Sequence, residues 1–185
     1  MAESGGDDFA LGDVARRAGV SIASIYYRFD GKEALVRAVL ERRVALLDGS
    51  YQRMLAAIAR RKPNLEDFVG QMVDGLARIM LREAWMLRRM MAAAEADPLM
   101  QGVAAQSYAR NLARVRDALL DHRAEIAHRQ PEVIAETIFR VVNSALAGGL
   151  GFGIGRSGSP SHATWIALKQ DLIRVSIALL ADREH

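Results

Sequence analysis

The sequence contains no cysteine, and this absence removes several kinds of protein chemistry at once. Disulfide bonds, thiolate metal sites and cysteine nucleophiles are all excluded. No apolar run approaches the roughly 18 residues that a membrane-spanning helix needs, and the longest candidate, residues 145–154, is broken by glycine. Residues 1–8 have neither the basic nor the apolar region of a signal peptide. We therefore expect a cytoplasmic protein with no membrane partner.

Strand-type alternation of apolar and polar residues is also missing. Apolar residues make up 51% of the 185 positions, which suffices for a real core. They recur in steps of three and four, the spacing of amphipathic helices. The sequence therefore predicts an all-α fold.

Patterns that would carry catalysis are absent as well. His122 and His128 are six positions apart, so they do not share one helical face, and no His-Glu-x-x-His pattern occurs. The glycine-rich residues 149–155 lack the preceding strand and the lysine of a phosphate-binding loop, and we interpret them as part of a linker. We expect no enzyme activity, no bound metal and no cofactor.

The positive charge is concentrated near the N-terminus. Residues 1–62 hold 11 basic and 8 acidic side chains, whereas residues 63–185 hold 14 of each. A solvated basic face would explain this distribution, and so would a polyanionic partner. The motif in the same region favours the second explanation.

Residues 11–29 read as two short helices joined by a glycine turn. Gly19 follows the first helix at a position that favours left-handed backbone, and Ser21 is a good N-cap for the second. Val20 and Ile25 stand at the positions of a hydrophobic staple. The predicted small core of this segment comprises Val14, Ala18, Ile25 and Phe29, and Ala15 is small enough to let the two helices cross closely. Such a pair of helices is a DNA-binding helix-turn-helix, or else merely a tight helical corner.

The second helix has an outer face suited to DNA. No acidic residue lies between Arg16 and Arg28, although a helix start favours acids. Hydroxyl groups can hold phosphates, apolar groups can contact thymine methyls, and Arg28 can reach base edges or backbone. The predicted DNA-binding residues are Ser21, Ile22, Ala23, Ser24, Tyr26, Tyr27, Arg28 and Lys32.

The run from Asp13 through Ala18-Gly19-Val20-Ser21 and Tyr26-Tyr27-Arg28-Phe29 to Leu35 resembles the N-terminal signature of TetR (tetracycline-repressor-type) transcriptional regulators. The resemblance implies that Tyr26 and Lys32 contact phosphates, that Ser21 caps its helix and touches phosphate, and that residues 22–24 and Tyr27 face the groove. It also implies a small-molecule sensor in the remaining chain and a dimer formed by the last two long helices.

The signature differs from the family pattern in three ways. Ala10 stands where the family has a capping Thr or Ser, and Arg28 stands where a histidine is common. Family members also carry a helix before the pair, and only residues 1–9 precede it here. We therefore expect a chain truncated at its N-terminus, with an incomplete three-helix head.

The remaining helices are marked by caps and prolines. Asp30 and Glu33 have the spacing of a capping box before a long helix that ends at Arg60-Arg61-Lys62 and Pro63. Asn64 is a good cap for the next helix. Further helices are predicted over residues 85–95, about 99–126, about 131–148 and, after a linker at 151–161, about 162–181.

The two last helices are expected to form a homodimer. The final helix is apolar around most of its circumference, which requires burial on more than one side. A second copy of the chain is the simplest second surface. A helix buried centrally in a monomer is the alternative.

A pocket in the interior would be lined by residues able to fill irregular shapes, such as methionine. Asn143 is suggestive because a buried amide needs partners, although it could equally bond across a dimer interface. Each of these side chains could also be plain core. The candidates are Met72, Trp85, Met86, Met90, Tyr108, Leu112, Phe139 and Asn143.

These features predict three parts: a helix-turn-helix DNA-binding domain at 1–31, a connecting helix at 32–62 and a helical effector-binding and dimerisation domain at 63–185. We expect a one-component regulator, a repressor that a small apolar effector releases from a palindromic double-stranded DNA operator. The alternative is a helical dimeric ligand-binding or scaffold module that does not bind DNA.

Overall fold

The structure is a computed structural model that describes residues 9–152 and 161–183. All regular structure in these ranges is helical, which confirms the predicted all-α class. The helices are α1 (Leu11–Ala18), α2 (Ile22–Arg28), α3 (Lys32–Ala59), α4 (Leu65–Arg82), α5 (Ala84–Ala96), α6 (Pro98–Leu120), a 3-10 turn (Arg123–Glu125), α7 (Pro131–Gly149) and α8 (His162–Ala181).

The chain divides into two compact units, which we call the head (residues 1–42) and the body (residues 43–185). Helix α3 contributes residues to both units. In the head, Ala15 of α1 and Ile25 of α2 are buried, because the small alanine lets the two short helices approach closely. Val14 and Phe29 are half-buried. Ala18 is exposed, so its predicted place in the small core was wrong: α1 buries Ala15, about one turn earlier, instead.

The boundaries of α3 show one difference from the sequence prediction. The carbonyl of Gly31 accepts a hydrogen bond from the backbone N–H of Leu35 at 3.2 Å, so Gly31 occupies the cap position and Asp30 does not. The capping box was therefore misplaced. Gly31 has a φ of 105°, a conformation that glycine adopts without steric cost. At its other end α3 stops at Ala59, close to the predicted basic terminus.

The core of the body is centred on α4. Asn64 caps this helix as predicted, and its Oδ1 accepts a hydrogen bond from the N–H of Asp67 at 2.8 Å. Helices α5, α7 and α8 all contact α4, so it is buried on several sides. Its buried residues are Phe68, Val69, Met72, Val73, Gly75, Leu76, Ala77, Ile79 and Met80.

Helices α6, α7 and α8 pack in succession beside α4. Helix α6 ends at Leu120, about six residues earlier than predicted, and a 3-10 turn replaces its last turns. Helices α7 and α8 begin at Pro131 and after Ser161, as the proline and the cap predict. The predicted linker falls mostly on residues 153–160, which lie outside the described residues. No described helix combines the length and the apolar character that a bilayer crossing requires.

Candidate nucleic-acid interface

The turn between α1 and α2 is a helix C-cap that depends on Gly19. This residue has a φ of 68°, in the left-handed region. Its N–H donates to the carbonyl of Arg16 at 3.3 Å, and the N–H of Val20 donates to the carbonyl of Ala15 at 3.0 Å. The two bonds form a Schellman motif, which ends α1 and turns the chain sharply. The start of α1 lacks a side-chain cap at Ala10, as the sequence predicts.

The start of α2 is held by Ser21. Its Oγ accepts a hydrogen bond from the N–H of Ser24 at 3.1 Å and lies 2.8 Å from the Ser24 hydroxyl oxygen. Ile25, four positions later, is buried against the head. One cap and one buried residue therefore fix α2, and the rest of its surface is left outward.

The outward surface of α2 carries the residues that the sequence selected. Tyr27 is 92% exposed, and Ile22 and Tyr26 are also exposed. Ser21, Ala23, Ser24 and Arg28 are exposed as well, while Lys32 is half-buried. The exposed apolar and aromatic groups of this short helix do not pack within the head, and such exposure is typical of a contact surface. We name this surface, residues 21–24, 26–28 and 32, the α2 face.

The charge around the α2 face is positive. Asp13 forms an ion pair with Arg16, which neutralises the nearest carboxylate on α1. Arg17 and Arg28 are exposed, and within the described residues neither forms an ion pair. The Nζ of Lys32 lies 4.5 Å from the ring centroid of Phe9. A cation over an aromatic face keeps its charge, so Lys32 is oriented without being neutralised.

Two short helices joined by a tight turn, with the second exposing hydroxyl, aromatic and cationic groups, define a protein of the helix-turn-helix class. Residues 1–39 match the family model described as bacterial regulatory proteins, tetR family. The N-terminal segment of the chain is therefore similar to TetR-family regulators, as its resemblance predicted.

Two solved structures share the fold. One is a protein from Mesorhizobium loti MAFF303099 assigned to the TetR family of transcriptional regulators, with a TM-score of 0.72 and 18% identity, covering 94% of this chain and 86% of that one. The other is a transcriptional regulator from Cytophaga hutchinsonii ATCC 33406, with a TM-score of 0.68, 13% identity and the same coverage. No curated protein matches the chain.

The hydrophobic core of the body brings together five of the eight residues predicted to line a pocket: Met72, Met86, Met90, Leu112 and Phe139. Met72, Met86 and Phe139 are fully buried, and Met90, Leu112 and Asn143 are half-buried. Tyr108 is partly exposed, with its ring 5.4 Å from that of Phe139. Trp85 is 64% exposed, so its predicted interior position was wrong: it lies in the first turn of α5, on the side away from the core. Binding of a ligand by these residues stays a prediction.

Two cavities of the body lie elsewhere. One, of about 420 Å³, lies between α3 and α4, and the other, of about 360 Å³, lies beside Glu125 and the end of α8. None of the eight predicted residues lines either cavity. The first contains four arginines, Arg53, Arg61, Arg78 and Arg82, which the sequence analysis did not select. A usable signal was present: Arg53 and Arg61 are eight positions apart in one helical pattern, and Arg78 and Arg82 are four positions apart in the next.

Proposed function

We propose that this protein is a one-component transcriptional repressor that places two copies of α2 in successive major grooves of a palindromic operator. The observation that supports this most directly is the α2 face, which projects aromatic, hydroxyl and cationic side chains outward from an acid-free helix. Recognition helices of such dimers are one helical turn of DNA apart, roughly 34–36 Å.

Each residue of the α2 face has a proposed role. Tyr26, Lys32 and the Ser21 hydroxyl contact phosphates, which position the helix on the duplex. Ile22, Ala23, Ser24 and Tyr27 face the groove, where apolar groups can pack on thymine methyls and hydroxyls can bond to base edges. Arg28 reaches a base edge or the backbone.

The proposed dimer forms through α7 and α8. Both helices bury one apolar side in the body and leave other apolar residues exposed: Val133 and Val141 on α7, and Ile166 and Val175 on α8. Apolar groups on two adjacent helices provide a surface that a two-fold related copy can cover. Four helices would then meet at the interface.

A small molecule bound by the body completes the proposed switch. The effector favours a conformation in which the two heads are separated differently, and operator binding weakens because only one separation fits successive grooves. This is a linkage between two sites, so operator DNA must weaken effector binding by the same factor.

The test is the binding of DNA from upstream of the protein's own gene, measured by fluorescence anisotropy at several salt concentrations. A dimer that contacts 6–10 phosphates should lose about 10³–10⁵ in affinity between 50 and 200 mM salt. A scrambled duplex of equal length is the control. Absent or salt-insensitive binding would contradict the proposal and favour a helical dimeric ligand-binding or scaffold module.

A further inference from the structure

We infer that the cavity between α3 and α4 binds an organic oxyanion, a carboxylate or phosphate joined to an apolar group. The cavity lies wholly within the body and has a volume of about 420 Å³. This is inside the range of roughly 300–1,000 Å³ that small-molecule sites occupy. Its lining residues are Ser50, Arg53, Met54, Ala57, Ile58, Arg61, Gln71, Gly75, Arg78, Ile79 and Arg82. We name it the arginine cleft.

The charge of the arginine cleft is of one sign. Four of its lining residues are arginines, two from α3 or its C-terminal end and two from α4, and none of the described lining residues is acidic. Arg53, Arg61 and Arg78 form no ion pair within the described residues. Arginine stays protonated at all ordinary pH values, so the cleft keeps an excess of positive charge.

Two of the guanidinium groups converge on one neutral atom. The Oγ of Ser50 accepts a hydrogen bond from Nη2 of Arg53 at 3.1 Å and another from Nη2 of Arg82 at 3.3 Å. Its own proton goes to the carbonyl of Leu46, with the oxygens 3.1 Å apart. Two cations held at one uncharged oxygen repel each other, and a bound anion would relieve that repulsion.

Two acidic residues next to cleft residues in the sequence, Glu83 and Asp74, already have partners. Glu83 bonds to Arg43 at 2.5 Å and to the Nε of Arg82 at 3.0 Å. Asp74 accepts a hydrogen bond from Nζ of Lys169 at 2.5 Å. Arg82 is thus oriented by Glu83 through Nε, while its Nη2 points to the Ser50 oxygen. An anion in the cleft would meet the donors that these carboxylates leave unused.

An amide group contributes to the same wall. Arg61 donates from Nη1 to Oε1 of Gln71 at 3.0 Å. This bond holds the third guanidinium at the cavity without neutralising it. Planar guanidinium donors match the geometry of carboxylate and phosphate oxygens, which is why arginine is favoured wherever these groups are recognised.

The other wall of the cleft is apolar. Met54, Ala57 and Ile58 of α3 face Gly75 and Ile79 of α4. Gly75 leaves room for Met54, since a Cβ atom at this position would lie 2.2 Å from the Met54 sulfur. An apolar wall beside a cationic one fits a ligand with both characters, and it disfavours a fully hydrated inorganic ion.

Isothermal titration calorimetry of the intact protein without DNA tests the inference. Octanoate and octyl phosphate serve as probes, and inorganic phosphate, octanol and octyltrimethylammonium serve as comparisons. We expect both organic anions to bind and the three comparison ligands to bind at least tenfold more weakly. If inorganic phosphate binds as tightly as octyl phosphate, or octyltrimethylammonium as tightly as octanoate, the inference is overturned.

Variants locate the site. Arg53→Gln/Arg78→Gln should weaken binding of both anions roughly tenfold or more, because each arginine supplies charge-assisted bonds. Arg60→Gln/Arg129→Gln removes the same charge from exposed positions outside the cleft and should change affinity less than twofold. If the double variant folds poorly, the single variant Arg78→Glu replaces it, and this variant should abolish binding of both organic anions. Equal losses in the cleft and control variants would overturn the inference.

A role for this anion as the effector rests on the proposed function, but its binding to the arginine cleft does not. Operator affinity should therefore be measured with and without saturating octyl phosphate. If the protein binds the anions but not DNA, the anion site in the arginine cleft is supported and the proposed repressor function is contradicted. If it binds DNA but none of the anions, the anion site is contradicted and the proposed repressor function is supported.

Discussion

The carboxylate of Asp48 on α3 and the guanidinium of Arg110 on α6 form a two-point contact in the body. Oδ2 of Asp48 accepts hydrogen bonds from Nη2 and Nε of Arg110 at 2.8 and 2.9 Å. Its Oδ1 accepts from the Ser107 hydroxyl at 2.6 Å and from the Asn111 amide at 2.8 Å. Asp48, Ser107 and Asn111 are all buried, so one carboxylate satisfies every buried donor of this cluster.

Asp48→Ala should therefore destabilise the protein strongly. The substitution leaves the hydroxyl of Ser107 and the amide of Asn111 buried without their acceptor, and each such group costs about 1–3 kcal/mol. We expect the free energy of unfolding to fall by about 3 kcal/mol or more in urea denaturation. Asp171→Ala removes an exposed ion pair with Arg174 and should cost less than about 1 kcal/mol. Similar losses for the two variants would contradict this account.

The phenol of Tyr51 makes stability depend on alkaline pH. Burial, and secondly the charge of Asp48, raises the pKa of Tyr51 above its ordinary value of 10.0. Above about pH 10 the unfolded chain loses this proton while the folded chain keeps it, so the free energy of unfolding falls by up to about 1.4 kcal/mol per pH unit. Tyr51→Phe removes that contribution. Urea denaturation from pH 7 to 11 should give parallel curves below pH 9 and a shallower decline for Tyr51→Phe above pH 10; identical slopes there would refute the explanation.

The packing of the Met54 side chain of α3 against α4 depends on Gly75. A methyl group at this position would overlap the side chain of Met54, and overpacking of this kind costs about 1–3 kcal/mol. Gly75→Ala should lower the urea midpoint, and Met54→Ala in the same chain should recover part of the loss. Gly70→Ala, on the same helix with nothing within 4 Å of its Cβ position, should instead stabilise by about 0.5–1 kcal/mol. Destabilisation by both alanines would show that the overlap is not the cause.

Tyr27 should matter for DNA and not for stability. Since its side chain is 92% exposed, Tyr27→Ala should change the free energy of unfolding by no more than about 0.5 kcal/mol. Loss of a groove contact should weaken operator binding by about 1–3 kcal/mol, roughly 5- to 150-fold. Trp85→Ala, which removes an exposed aromatic residue from the body, is the control and should leave affinity unchanged. Unaltered affinity in Tyr27→Ala would exclude this residue from the interface.

The proposed dimer can be tested at the centre of its apolar surface. Val141→Glu/Val175→Glu would bury unpaired carboxylates on both sides of the two-fold axis, at a cost of several kcal/mol. Sedimentation equilibrium should show monomers for this variant and dimers for the unchanged protein. Leu99→Glu places the same charge on an exposed apolar residue of α6 and should leave the dimer intact. Persistence of the dimer in the double variant would place the interface elsewhere.

Much of the architecture could be predicted because its signals are local. The Asn64 and Ser161 caps and the glycine turn at Gly19 act through bonds to residues a few positions away, and Pro131 acts through its own fixed backbone angle. The one-dimensional pattern therefore identifies all of them. Asp30 shows the limit of such signals, since Gly31 offered a competing cap only one residue later. The outward α2 face could be predicted for the same reason. A seven-residue helix buries only one side, and Ile25 is the buried residue of α2, so the neighbouring side chains are exposed.

The helical class, the order of the helices and the helix-turn-helix motif follow from the amino-acid sequence, because periodicity, caps and turn residues operate over short distances. Which side chains meet across helices depends instead on tertiary packing. Asp48 meets Arg110 across 62 positions, Ser50 meets Arg82 across 32, and Trp85 turns outward although its residue type favours burial. The free energy of such contacts depends on how whole helices pack, and helical spacing within each segment carries no information about the partner that it will face.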